Sequence, residues 1–238
     1  MKRILLMIFR NLLLVPGCWI KLNYYAMHTE KYTDVQKYSL LRWICERANK
    51  GGNIHIEAHG AERIPEEGSF LMCPNHQGLY DVIAIMSVCP RPFCSVAKKE
   101  LKDIQFLKQV FALLDAYIID REDLRQSMHV IMDVTEDMKN GRPFLIFPEG
   151  TRSKQGNKLL DFKGGTFKTA VKSQSPIIPV ALIDSYKAFD TGSAKPLTVQ
   201  VHILEPMQYE EYKDMKTTEI AAEVKSRIEA KIAEVESL

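Results

Sequence analysis

The chain has 238 residues, a formal net charge of +2, 46% hydrophobic residues and 26% charged residues. These values are ordinary for a globular protein, and a chain of this length buries a sizeable core. The charge is small and the chain has no long Lys/Arg block, so nucleic acid is not an expected partner. Five cysteines without a C-x-x-C spacing indicate neither a disulfide framework nor a zinc site, and they fit a reducing cytosolic compartment.

The N-terminal segment is mostly Ile, Leu, Met, Phe and Val behind Lys2 and Arg3. Arg10 interrupts the apolar run and no small-x-small cleavage site follows, which argues against a signal peptide. Pro16 ends the run too early for a transmembrane span. We therefore predict an amphipathic helix in the membrane interface, with these three basic residues and Lys21 at the headgroups. The alternative is a helix packed on the protein's own core.

A second N-terminal helix is predicted over residues 33–48, where apolar side chains recur at helical spacing before Gly51 and Gly52. We therefore expect a two-helix membrane-association element over residues 1–50. The α/β domain is expected to follow over residues 51–238.

Beyond residue 50, short apolar or alternating runs that predict strands alternate with segments of helical spacing. The predicted strands are 53–59, 69–73, 93–97, 116–119, 143–147, 177–183 and 197–204. The predicted helices are 79–88, 104–114, 122–139, 164–172 and one at the C-terminus. This alternation predicts an α/β fold with a mostly parallel central sheet flanked by helices.

The segment N-H-Q-G-L-Y-D carries a histidine and a carboxylate directly after a predicted buried strand. Active-site loops of α/β folds lie outside the carboxyl ends of the strands. His76 can accept a proton from a hydroxyl near neutral pH, while Asp81 can fix the imidazole tautomer and stabilise the imidazolium. The alternative makes Asp81 a helix cap and His76 a loop histidine.

No convincing nucleophile accompanies this pair. The chain has no G-x-S-x-G elbow. Cys73 ends an apolar strand, where buried cysteine is common, so core packing is its favoured role. We therefore expect direct attack by a substrate hydroxyl and no covalent enzyme intermediate.

The segment F-P-E-G-T-R-S follows a later predicted strand. Gly150 frees a turn whose N–H groups suit an anion, and the fork of Arg152 matches phosphate. Glu149 is unusual beside a phosphate, and it either orients the arginine or contacts a substrate hydroxyl. Arg121 and Lys163 can add positive charge. The alternative is a solvated turn with an incidental salt bridge.

Two further histidines share the polar face of one predicted strand, His55 and His59. A zinc site needs three or four protein ligands, and no third ligand is evident nearby. We therefore predict solvated histidines and no metal site.

Four segments, in order over residues 70–183, resemble the sequence blocks of the 1-acyl-glycerol-3-phosphate O-acyltransferase family within the glycerolipid acyltransferases. Asn75–Asp81 resembles the N-H-x-x-x-x-D block, and Ala116–Arg121 is similar to a block that ends in hydrophobic-Asp-Arg. Phe147–Ser153 matches F-P-E-G-T-R-S at every position, and Pro176–Val180 resembles the fourth block.

The resemblance implies that His76 deprotonates the 2-hydroxyl of lysophosphatidic acid while Asp81 holds the imidazole. The oxygen then attacks an acyl thioester, carried by acyl carrier protein or coenzyme A, and phosphatidic acid forms without a cofactor. The enzyme would serve phospholipid biosynthesis at the cytoplasmic face of the membrane. The residues implied to shape the acceptor phosphate site are Arg121, Glu149, Gly150, Thr151, Arg152 and Lys163.

Three positions depart from the family pattern. Gly78 stands where Ser or Thr is common, and Asp115 and Ile118 stand where Gly and Phe are common. These departures bear on acceptor fit and leave the histidine and its carboxylate untouched. The nearest alternative function is acyl transfer to glycerol-3-phosphate or another lysophospholipid. Less favoured alternatives are a hydrolase of lipid esters or thioesters and a non-catalytic lipid-binding protein.

Overall fold

The computed structural model describes residues 2–120 and 122–237, apart from the side chain of Leu124. Its strands are β1 Ile54–His59, β2 Leu71–Pro74, β3 Cys94–Lys98, β4 Tyr117–Ile119, β5 Phe144–Leu145, β6 Ile177–Ile183 and β7 Leu197–Ile203. They form a sheet in the order β1-β7-β6-β2-β5-β3-β4. The predicted strands are therefore confirmed, with small shifts at their ends.

Helices cover both faces of the sheet. Those of the chain's first half, up to residue 113, pack on one core, and the later ones pack on a second core across the sheet. Successive strand residues point to opposite faces, so Met72 joins the first core while Leu71 and Cys73 join the second. The α-helices are α1 Lys2–Arg10, α2 Val15–Met27, α3 Asp34–Gly51, α4 Asp81–Val88, α5 Gln105–Leu113, α6 Leu124–Lys139, α7 Lys168–Ser173, α8 Tyr209–Tyr212 and α9 Thr217–Glu236.

The sheet is mostly parallel, which confirms the predicted fold class. Strands β2 to β6 run in one direction, while β7 pairs antiparallel with β6 and parallel with β1. The connection between β6 and β7 holds one short 3₁₀ turn, Ser185–Ala188, and no crossover helix, so β7 returns beside β6. The carboxyl ends of β2 to β6 therefore lie along one edge of the sheet.

The N-terminal segment contains three helices where two are predicted. Pro16 lies in the first turn of α2, where its missing N–H costs no helical hydrogen bond, so it starts a helix after the break. No single helix among the described residues is long and apolar enough to cross a membrane. Helices α1 and α2 meet that test only as a pair, and they are bent by 96°.

Helix α1 is fastened to the rest of the chain by Arg3, which is buried and is therefore not at the headgroups as predicted. Its guanidinium donates to the carbonyls of Gly52 at 2.6 Å, Ala188 at 3.1 Å and Lys195 at 2.9 Å. These carbonyls replace water around the charge. The alternative role, packing on the protein's own core, therefore holds for this side of α1.

The outer side of the first two helices, together with the turn between them, exposes apolar side chains. The exposed fractions are 74% for Phe9 and 96% for Leu13, which contrast with 8% for Met7 and 1% for Leu22 on the inner side. We call the exposed set the N-terminal apolar surface. Its most exposed members are Leu5, Phe9, Leu12, Leu13, Ile20 and Met27.

Two local elements differ from their predictions. The helix predicted over 164–172 begins as the 3₁₀ turn Gly164–Phe167 before α7, and α8 is not predicted.

Asp115, where the resembling family commonly has Gly, adopts φ +47° and forms ion pairs with Lys37 at 2.8 Å and Arg142 at 3.0 Å. The division of the chain at residue 50 stays a prediction.

Candidate active site

His76 and Asp81 meet at the carboxyl edge of the sheet, directly after β2. The ring Nδ1 of His76 lies 2.7 Å from Asp81 Oδ2. The Asp81 side chain is fully buried, while that of His76 keeps 21% of its surface exposed. Within the described residues, nothing hydrogen-bonds the other ring nitrogen, Nε2. The predicted base and orienting partner are thus brought together, with one ring nitrogen left for a ligand.

Asp81 is held by the turn that it closes. The backbone N–H groups of Gln77 and Gly78 donate to its Oδ2 at 2.7 and 2.9 Å. Asp81 is the first residue of α4, yet its carboxylate faces back into the turn. It therefore pairs with His76 and does not act only as a helix cap.

The turn itself is locked to β6. Asn75, which follows β2, donates to the carbonyl of Leu182 at 3.0 Å and accepts from its N–H at 2.7 Å. Gln77 donates to the same carbonyl at 2.8 Å. Both amides are almost fully buried, so their hydrogen bonds set the path of the chain around His76.

Glu149 links the two motifs. One of its oxygens accepts the backbone N–H of His76 at 2.7 Å, and the other accepts that of Leu160 at 2.9 Å. Burial raises the pKa of this carboxyl, while the two N–H groups act in the opposite direction. In return, Ser153 N donates to His76 O at 2.8 Å, and the ring of Phe147 stacks on the imidazole at 4.0 Å. Glu149 therefore holds the backbone of His76 in place.

The glycine turn lies beside a lysine. Gly150 adopts φ +73°, a left-handed conformation that side chains rarely take, and a Cβ there would lie 3.0 Å from Lys163 Nζ. The N–H of Lys163 also donates to Pro148 O at 2.9 Å. The structure thus brings together two members of the predicted phosphate site, Gly150 and Lys163.

Thr151 and Arg152 complete this turn. Thr151 is exposed and Arg152 is half-buried. Within residues 2–120 and 122–237, neither backbone N–H has a hydrogen-bond acceptor, and the guanidinium of Arg152 forms no ion pair. Two free N–H groups beside two cations match the donors that a phosphate requires. The phosphate role of this turn stays a prediction beside the alternative of a solvated turn.

Arg121 lies outside the described residues, so its predicted phosphate contact stays a prediction. The preceding strand, β4, ends on the same edge as β2 and β5. Asp120, the residue that follows β4, forms a salt bridge with Lys99 at 2.9 Å, and this hydrogen bond lowers the pKa of Asp120.

Helix α9 braces the loop that follows the glycine turn. Lys225 pairs with Asp161 at 2.8 Å, and Glu236 accepts from Asn157 at 2.9 Å. Asn157 in turn accepts from Gln77 at 2.8 Å. This long loop is thus held between the C-terminal helix and the turn around His76.

Ser185 is a site residue that the sequence analysis missed. Its hydroxyl, buried just beyond β6, donates to Asp81 Oδ1 and lies 3.0 Å from Gln77 Oε1. No spacing in the sequence links Ser185 to Asp81. A weak signal is that Ser185 comes shortly after the carboxyl end of β6, which lies at the same edge of the sheet as His76.

Cys73 and the predicted solvated histidines lie apart from this chemistry. Cys73 is fully buried and burial raises the pKa of its thiol, which confirms core packing. The thiol groups of all five cysteines are free. His59 is exposed and stacks on the buried His202 at 4.4 Å. The described part of the chain holds no group of three or more His, Cys, Asp or Glu residues arranged for a metal ion.

A family model described as "Acyltransferase" matches residues 55–183, the segment that carries both motifs. The chain belongs to the acyltransferase family. The sequence resemblance is therefore confirmed, and the geometry around His76 can be compared with that of other family members.

Two curated relatives of this acyltransferase are named 1-acyl-sn-glycerol-3-phosphate acyltransferase. The one from Helicobacter pylori is 39% identical over 132 residues, which cover 56% of this chain and 54% of that relative. The one from Salmonella typhimurium is 33% identical over 184 residues, or 77% of this chain and 75% of the relative.

A solved structure supports the same placement. The crystal structure of the 1-acyl-sn-glycerophosphate (LPA) acyltransferase from Thermotoga maritima aligns with a TM-score of 0.72 and 25% sequence identity. The alignment covers 95% of this chain and 98% of that one. The likeness therefore extends over nearly the whole length of both chains.

Proposed function

We propose that this acyltransferase moves a fatty acyl group from a thioester to the 2-hydroxyl of 1-acyl-glycerol-3-phosphate, giving phosphatidic acid. The observation that carries the proposal is the pairing of His76 with Asp81 at 2.7 Å beside the turn at Gly150. A base alone serves many reactions. A base tied by Glu149 to a cationic, N–H-bearing turn fits a substrate that carries both a hydroxyl and a phosphate.

The chemistry follows from the hydrogen bonds on the imidazole. Asp81 accepts from Nδ1–H, so the lone pair of neutral His76 lies on Nε2. Nε2 takes the proton of the 2-hydroxyl as its oxygen attacks the thioester carbonyl. The tetrahedral intermediate collapses, the C–S bond breaks, and the imidazolium returns the proton to the departing thiolate. Asp81 stabilises the imidazolium between these steps.

The acceptor phosphate is proposed to lie at the turn after β5. Arg152 would supply a bidentate fork, the N–H groups of Thr151 and Arg152 would donate to phosphate oxygens, and Lys163 would add charge. Gly150 lets the backbone approach the anion. Glu149 contributes by holding His76, since both of its oxygens already accept N–H groups.

The acyl donor is proposed to be acyl carrier protein or coenzyme A carrying the fatty acid as a thioester. A thioester is already activated toward an alcohol, so no cofactor enters the proposed reaction.

The N-terminal apolar surface is proposed to lie on the cytoplasmic face of a membrane. Leu13 and Phe9, which are 96% and 74% exposed, would enter the acyl region. Lys2 and Lys21 belong to the same two helices and supply positive charge for anionic headgroups. Acceptor and product are both membrane lipids, so a surface-bound enzyme would meet them where they reside.

The test is a thiol-release assay with the purified chain on phospholipid vesicles. The two donors, acyl-coenzyme A and acyl carrier protein loaded with the same acyl group, are each tested with lysophosphatidic acid, glycerol-3-phosphate, a second lysophospholipid, or no acceptor. The proposal expects thiol release coupled to phosphatidic acid and dependent on lysophosphatidic acid. Preference for another acceptor would overturn the acceptor assignment. Thiol release that is as fast without any acceptor as with one, and that yields free fatty acid, would identify a hydrolase.

A further inference from the structure

The two oxygens of the Asp81 carboxylate are bonded very unequally. Oδ2 faces His76 Nδ1 and the N–H groups of Gln77 and Gly78, all between 2.7 and 2.9 Å. Within the described residues, Oδ1 has one hydrogen-bond donor, the hydroxyl of Ser185. Ser185 and Asp81 are both fully buried, so water does not replace this bond.

Ser185 is itself held in place. Asp184 adopts φ +65° and its carbonyl accepts from Lys187 N at 3.0 Å, which forms the tight turn that follows β6. The adjacent Gln77 Oε1 lies 3.0 Å from the Ser185 hydroxyl and 3.4 Å from Tyr186 N. The hydroxyl therefore reaches Asp81 from a fixed direction, set by the end of a central strand.

We propose that Ser185 is a positioning residue that orients Asp81 for its work on His76. The proposal rests on the proposed function, because it concerns the base of that reaction. With Oδ1 bonded to Ser185, the plane of the carboxylate is fixed and Oδ2 stays in line with the imidazole N–H. Ser185 acts through Asp81 and does not contact the reacting atoms.

A nucleophilic role for Ser185 is inconsistent with the geometry. The two acceptors of its hydroxyl are Asp81 Oδ1 and Gln77 Oε1, whereas His76 is bonded to the other oxygen of Asp81, Oδ2. The free Nε2 of His76 therefore has no path to the Ser185 proton. An acyl-serine intermediate would also require the substrate to enter a fully buried position.

Removal of the hydroxyl would leave a buried charged oxygen without a donor, which is costly. The carboxylate would then rotate or shift to find a partner, and the imidazole would lose its fixed orientation. The phosphate turn does not depend on this bond. Ser185→Ala is therefore expected to lower kcat about tenfold while KM for lysophosphatidic acid changes less than about twofold.

Ser175 offers a matched control at the other end of β6. It is also buried, and its hydroxyl bonds Ser69 at 2.6 Å and Ser173 at 2.7 Å, away from the carboxyl edge. Ser175→Ala deletes a buried hydroxyl of the same kind and should keep the kcat of the parent chain. Thermal unfolding of both variants separates lost stability from lost orientation.

Two further variants give the test a readout that a merely structural serine would not change. Ser185→Thr keeps the hydroxyl and should restore most of the lost kcat. In an Asp81→Asn background, Ser185→Ala should cost almost nothing more, because the two residues act as one unit. If Ser185→Ala does not fold, Ser185→Cys, which keeps the volume but donates weakly, takes its place in the same comparison.

The proposal is overturned if Ser185→Ala lowers kcat no more than Ser175→Ala does. It is equally overturned if Ser185→Ala costs as much in the Asp81→Asn background as in the parent chain, since the effect would then not pass through the carboxylate. Failure of the proposed function would look different. In that case the parent chain itself would show no acyl transfer to lysophosphatidic acid.

Discussion

The carboxylate of Glu149 accepts the backbone N–H of His76 at 2.7 Å, so the F-P-E-G-T-R-S motif holds the backbone of the N-H-Q-G-L-Y-D motif in place. The other oxygen of Glu149 accepts from Leu160 N at 2.9 Å, which ties in the long loop as well. One buried side chain thus connects His76, the turn at Gly150 and the long loop. This role explains how a carboxylate can stand beside a proposed phosphate without competing for its cations.

Glu149→Gln should lower kcat about tenfold, because a glutamine has one acceptor oxygen for two N–H donors and leaves one unpaired. Steady-state kinetics with lysophosphatidic acid would measure it. Glu211→Gln is the control, since Glu211 accepts the N–H of Gln208 at 2.8 Å at an exposed position of α8. Unchanged kcat in the Glu149 variant would contradict the positioning role.

His76→Ala should abolish acyl transfer while the fold stays intact, because no other group among the described residues replaces Nε2. Asp81→Asn should lower kcat about a thousandfold, since an amide can hold the imidazole in the wrong tautomer. Circular dichroism would verify folding and thiol release would measure rate. Near-normal phosphatidic acid synthesis by the His76 variant would refute the mechanism.

Arg152→Ala should raise KM for lysophosphatidic acid about tenfold or more, since a bidentate charge-assisted contact is lost. The effect on kcat should be smaller. Lys172→Ala removes an exposed positive charge from α7 that is not part of the proposed phosphate site, so it tests the influence of net charge alone. An unchanged KM in the Arg152 variant would argue against the phosphate role.

Phe9→Glu combined with Leu13→Glu should lower vesicle binding on the order of tenfold or more, because two charges replace apolar contacts with the acyl region. Co-sedimentation with anionic vesicles would measure binding. Met128→Glu combined with Met132→Glu makes the same change at exposed apolar positions of α6, 66% and 59% exposed. If the two double variants bind the vesicles equally well, the N-terminal apolar surface is not the membrane contact.

His202 should make the fold sensitive to mild acid. Burial, followed by the charge of neighbouring His59 and Lys231, lowers the pKa of His202 to about 4, although Glu57 and Glu234 oppose this. An unfolded histidine titrates near about 6.5, so the unfolded state binds more protons between these values. The free energy of unfolding should therefore fall as pH drops from about 6.5 to 4.

Denaturant unfolding at pH 7 and pH 5 would measure this loss in the parent chain and in His202→Gln. The variant should lose less stability between the two values, because its side chain does not titrate. His129→Gln, at an exposed position of α6, is the matched control and should behave as the parent does. The same loss in all three proteins would exclude His202 as the cause.

The succession of strands and helices along the chain could be predicted from the sequence, and so could the pairing of His76 with Asp81. These signals are local: apolar periodicity follows from the geometry of each element, and His76 and Asp81 belong to one turn. The resemblance to the family blocks added the reaction, and it added a phosphate role for the turn at Gly150 that stays a prediction. The interruption of the apolar run near Pro16 is present, but the proline lies in the first turn of α2 and the break comes just before it.

Only the tertiary structure decided which distant groups complete the site. Ser185 reaches Asp81 across 104 positions of sequence, and Glu149 reaches the backbone of His76 across 73. Arg3 is buried against carbonyls that lie as far away as Lys195. Such partners depend on the order of strands in the sheet, in which β2 lies between β6 and β5. Periodicity records which face of an element is buried, but it carries no information on which element lies beside it.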